Sequence, residues 1–102
     1  MQFRQGDILL IKVNAIPKSS HLMPAKNGRV ILAEGEATGH SHSIDASKAA
    51  LYIDKNDQAF LLAEDGCTLV HQEHAPIDIE SGSYRVIRQR EYTPEAIRNV
   101  MD

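Results

Sequence analysis

The sequence holds a single cysteine, Cys67, and no tryptophan. One thiol cannot form an intrachain disulfide, and a reducing, cytoplasmic setting is the natural expectation. Aromatic residues are also scarce, at 5% of the chain, so aliphatic side chains must fill most of the core. No apolar run approaches the roughly 18–20 residues that a membrane-spanning helix requires. The segment Met1–Asp7 has no apolar signal region and no small-residue cleavage site behind it. Basic residues do not dominate: 11 Lys and Arg stand against 14 Asp and Glu, for a net charge of −3. That balance argues against a dedicated nucleic-acid binder. Internal repeats, low-complexity tracts and linkers rich in Gly, Pro or Ser are missing too. A chain of 102 residues, 42% hydrophobic and 25% charged, then reads as one soluble globular domain over residues 1–102.

What is present is a series of short apolar runs broken by turn residues, the pattern of an all-β domain. Gly6 to Val13 carries Ile8, Leu9, Leu10, Ile11 and Val13, a near-continuous stretch that suits a strand covered on both faces. Lys18 to Gly28 is polar, contains Pro24 and ends in Asn27-Gly28, which predicts a long loop. A second strand begins at Val30 and continues through Thr38, extended by His40 to Ile44. Leu51–Ile53, Ala59–Leu62 and Thr68–Val70 are three more. Ile77 and Ile79 alternate with Asp78 and Glu80, then Ser81-Gly82 turns the chain into Tyr84, Val86 and Arg88, which predicts a hairpin. Thr93 as N-cap, Pro94 at the first helical position and the stripe of Ile97, Val100 and Met101 predict a short terminal helix over about residues 94–101. About seven short strands in so small a chain are expected to close into a small β-barrel or roll, which would remove exposed edges.

Four of the five histidines fall in two tight clusters, Gly39-His40-Ser41-His42 and His71-Gln72-Glu73-His74. In a strand, residues i and i+2 point to one face about 6.6 Å apart along the chain, so His40 and His42 can converge on one ion. The second cluster admits two arrangements. A straight strand would put His71 and Glu73 on one face and give the set His40, His42, His71 and Glu73. A bulge or turn near Gln72-Glu73 would bring His71 and His74 together, leaving Glu73 as orienting group or general acid/base. Ala75-Pro76 favours an interruption nearby, and hence the metal set His40, His42, His71 and His74.

Imidazole-rich donor sets suit divalent metals, with zinc or iron foremost, and a carboxylate shifts the balance toward iron or manganese. Three ligands would leave a position at which the metal activates water or a small oxygen-bearing ligand; a closed four-histidine shell would be structural. The rival expectation is a non-catalytic protein-interaction module with structural histidines. Its partner surface would involve the arginines or the terminal helix. The substrate, the partner and any homo-oligomer stay open at this level.

The runs EGEATGHSHSI and HQEHAPIDIESGSYRVIRQREY resemble those of a family of small bacterial and phage proteins with no assigned activity, over Gly6 to Tyr92. That resemblance implies that the two histidine clusters belong to one pattern. A looser likeness is to the cupins, small β-barrel metalloproteins whose G-(x)5-H-x-H motif is similar to Gly35 and His40-Ser41-His42. Gly35 lies one residue nearer to His40 than in that motif. The glutamate that follows in cupins is missing between Ser43 and Ala49, and no histidine follows Glu80-Ser81-Gly82.

The remaining chemistry-bearing residues have plainer readings. Arg85, Arg88 and Arg90 suit protection of a sheet edge or pairing with Asp78 and Glu80, more than an anion site. Arg88 stands apart, because it shares a face with Tyr84 and Val86. Cys67 and His71 would lie roughly 13 Å apart along an extended strand, too far for a nucleophile and its base. A buried packing cysteine is expected. His21, in the polar loop, is expected to be solvated.

Overall fold

The computed structural model describes residues 1–35 and 39–89. Among them are ten strands: β1 (Gln2–Gln5), β2 (Ile8–Val13), β3 (His21–Met23), β4 (Arg29–Glu34), β5 (Ser41–Asp45), β6 (Ala49–Ile53), β7 (Ala59–Ala63), β8 (Cys67–Leu69), β9 (Ile77–Ile79) and β10 (Gly82–Arg88). The fold is all-β. The expected helix over about 94–101, like Arg90, lies outside the described residues, as do Glu36, Ala37 and Thr38.

Six strands form one sheet in the order β1-β2-β10-β7-β6-β3, and two antiparallel ribbons, β4-β5 and β8-β9, complete the fold. The large sheet does not close, since β1 and β3 are its two edges, so the barrel expected from strand number is corrected to an open sheet with two ribbons. Closure would need the edge strands to pair, and β3 is only three residues long with every residue exposed. Short edge strands limit unwanted pairing without a barrel.

Three further expectations are corrected. The run from Val30 to Ile44 is not one extended strand. It folds back on itself between Glu34 and Ser41, and Gly35 N–H donates to His40 O at 2.6 Å across the reversal. The polar loop Lys18–Gly28 contains β3, which pairs His21–Met23 with Leu51–Ile53. The Ile77–Arg88 hairpin does not form: β9 pairs with β8, while β10 lies between β2 and β7. A corner replaces the hairpin turn, with Gly82 at φ 151° and the Tyr84 hydroxyl donating to Glu80 O at 2.7 Å. Because β10 is internal to the sheet, Arg85 and Arg88 protect no edge.

Alternation along the strands fixes one inner face. Ile8 and Leu10 of β2, Tyr84 and Val86 of β10, Leu61 and Ala63 of β7, and Leu51 of β6 are all buried. They join Val30, Ala33 and Ile44 from the β4-β5 ribbon and Cys67, Leu69 and Ile79 from β8-β9 in one cluster. Full burial of an aliphatic side chain of this size contributes about 1.5–3 kcal/mol, and this shared core holds the ribbons to the sheet. A bridge between Ser43 and Val70, with hydrogen bonds in both directions at 3.0 and 2.9 Å, ties β5 to the end of β8. The segments that carry the two histidine clusters are thereby joined side by side.

Candidate functional site

Three turns or strand ends meet at the rim of this core. The first is the β1-β2 turn, Gln5-Gly6-Asp7, with Gly6 at φ 59°. The second is the approach to β5, carrying His40 and His42. A register shift between Ile31 and Ala33 sets Ala33 opposite His42 and Ile31 opposite Ser43, with Leu32 as the extra residue. Such a bulge bends a strand and re-aims its side chains. The third is the bend after β8, His71-Gln72-Glu73-His74, where Glu73 N–H donates to His71 Nδ1 at 3.0 Å. Gln72 Oε1 accepts from Ser41 N–H at 2.9 Å and fastens this bend to β5.

All four clustered histidines come together. His71 is the hub: its ring centroid lies 5.6 Å from that of His40, 4.3 Å from His42 and 4.7 Å from His74. His42 and His74 stack nearly parallel at 6.0 Å. His21, on β3, is exposed and belongs to another part of the molecule. Cys67, in β8, is buried, and burial pushes its thiol above the ordinary value.

The imidazoles open into a cavity of about 250 Å³ that is also lined by Asp7, Glu34, Glu73 and Arg88. Glu73 Oε1 lies 3.3 Å from His40 Nδ1, and Asp7 Oδ1 lies 3.2 Å from His42 Nε2. Arg88 spans the mouth, donating from Nε to Asp7 Oδ2 at 3.0 Å and from Nη2 to Glu34 O at 3.0 Å. Three carboxylates against one guanidinium leave the cavity net negative when the imidazoles are neutral, a field that attracts cations.

Burial lowers the basicity of His42, and the neighbouring His71 adds to this against the opposing pull of Asp7. His71 is lowered as well, first by desolvation and then by His74 and His40. For Asp7, burial pushes the carboxyl up, but the hydrogen bond and charge of Arg88 outweigh it and the net shift is downward. As the side chains stand, no three His, Cys, Asp or Glu among the described residues are placed to hold a metal ion.

Asp7, Gln5 and Arg88 complete the site, and the sequence pattern did not single out the first two. Gln5 is buried at 3% exposure inside an edge strand, donating to Leu69 O and Ala75 O at 3.0 and 2.9 Å and meeting His42 Nδ1 at 2.8 Å. A buried glutamine at the end of a strand whose other polar residues, Gln2 and Arg4, are exposed was the available signal, visible only once β1 was recognised.

Fold and site together define a small all-β domain with an imidazole-and-carboxylate cavity at the junction of three sheets. The chain belongs to the family described as Domain of unknown function (DUF8820), which it matches over residues 4–89. No curated protein and no solved structure matches it. Among the described residues no helix is long and apolar enough to cross a membrane.

Proposed function

We propose that this domain binds a divalent metal ion, zinc or iron, through His40, His42, His71 and His74. Convergence of four imidazoles from two segments about thirty residues apart in sequence is the observation that carries this reading. Charge supports it, since the cavity's carboxylates outnumber its one guanidinium. Binding requires some rings to turn, because the packed arrangement is not itself a coordination shell. His74 is exposed, which leaves its ring room to turn, while His42 is held by Gln5. In the enzyme version, three of these ligands leave one position for water or a small ligand, and Glu73 acts as general acid/base.

Elemental analysis of untagged protein tests the reading. One equivalent of metal, lost in the His40→Ala, His71→Ala double variant, is the expected result. Metal-free, fully folded protein that takes up no zinc or iron would contradict it and favour a non-catalytic interaction module.

A further inference from the structure

We infer that Asp7 is itself a ligand of this metal, and that Gln5 fixes His42 to bind it through Nε2. The inference rests on the metal reading above and adds to it a carboxylate donor and a positioning residue.

Hydrogen-bond bookkeeping sets the tautomer. Leu69 O and Ala75 O can only accept, so the end of the Gln5 amide that faces them is its NH2 group. The amide oxygen then faces His42 Nδ1 at 2.8 Å, and since that oxygen cannot donate, Nδ1 carries the hydrogen. In the neutral ring Nε2 is left as a bare lone pair. Across 3.2 Å from it stands Asp7 Oδ1, another acceptor. Arg88 donates to the other oxygen, Oδ2, which leaves Oδ1 beside Nε2 at the rim of the cavity.

One metal ion can be held between two such donors when their spacing matches its bonds. Two donors each about 2.0–2.2 Å from one ion stand about 2.8 to 3.6 Å apart between a right angle and a tetrahedral angle. The observed 3.2 Å lies within that interval. Holding a ligating histidine through its other ring nitrogen is how proteins fix both the tautomer and the direction of the metal bond. Gln5 does this from a buried position with its amide fully bonded.

The test uses the full chain, stripped of metal with a chelator and kept at pH 8. Asp7→Asn keeps an oxygen for Arg88 but replaces the carboxylate beside His42 Nε2 with a neutral amide. Its Zn²⁺ affinity in calorimetry is therefore expected to fall by at least about tenfold. Unchanged Zn²⁺ affinity would mean that Asp7 is no ligand and would overturn the inference. Histidine ¹⁵N spectra of the metal-free protein are expected to show His42 protonated at Nδ1 alone, with this preference lost in Gln5→Leu. An imidazolium or an Nε2-protonated ring would overturn the role of Gln5. Wild-type protein that binds no Zn²⁺ would remove the metal reading itself, whereas Zn²⁺ bound equally by wild type and Asp7→Asn would remove only the assignment of Asp7.

Discussion

Gly6 stands against His74 so closely that a Cβ at position 6 would lie 2.7 Å from His74 Nε2 and 3.3 Å from His42 Cε1. The turn that delivers Asp7 therefore depends on glycine twice, for this approach and for its positive φ of 59°. Gly6→Ala is expected to cost about 1–2 kcal/mol from the backbone conformation alone, measured by urea denaturation. The exposed His74 ring can move aside, so the larger expected effect is displacement from the cavity and weaker Zn²⁺ binding. Full Zn²⁺ affinity in that variant would show that His74 is not held in place by this contact.

The lowered basicity of His42 and His71 makes the metal-free fold sensitive to acid. Both rings are neutral in the folded protein at a pH where the unfolded chain, with the ordinary histidine value of 6.5, already takes up protons. The unfolded state thus binds more protons in this window, so stability is full above pH 6.5 and declines as the pH falls below it. Chelator-treated protein is expected to have a lower denaturation midpoint at pH 5.5 than at pH 8. His42→Gln is expected to reduce that difference, and an equal difference in the variant would place the acid sensitivity elsewhere.

At the corner between β9 and β10, the Tyr84 hydroxyl donates to Glu80 O while its ring is buried and packs edge-on against Phe3 at 5.9 Å. Tyr84→Phe keeps the packing and removes the hydrogen bond. It is expected to cost about 0.5–1.5 kcal/mol in denaturant titrations, with metal binding unaffected.

Cys67 contributes a buried thiol whose ionisation is suppressed. A disulfide reagent such as Ellman's is expected to react with it only as the protein unfolds, at a rate that follows denaturant concentration. Rapid reaction in native buffer would show that β8 opens readily.

The all-β class was legible because period-2 alternation and turn residues are local signals, as at Ile77–Glu80. Strand partners were not. Ile79 and Tyr84 look like two arms of a hairpin, but their partners are Cys67 on one side and Lys12 and Leu61 on the other. A short turn cannot reveal that competition, because the deciding contacts are long-range and hydrophobic. Nor could local pattern show that β1 and β3 end up at opposite edges without pairing with each other, which is what leaves the sheet open.

The site divides in the same way. Spacing alone exposed the histidines, and Ala75-Pro76 pointed to the bend that sets His71 beside His74. Asp7 was hidden because it lies 35 residues from His42 in sequence and reads as an ordinary turn acid. Gln5 was hidden because its value comes from two carbonyls, Leu69 O and Ala75 O, more than sixty residues away.

Calorimetric titration of metal-stripped, untagged protein with Zn²⁺ tests the central claim most directly. The expected result is saturable uptake of one ion per chain, reduced stepwise by His42→Ala and by the combined loss of His40 and His71. Absence of saturable binding, or binding that survives removal of all four clustered histidines, would contradict it.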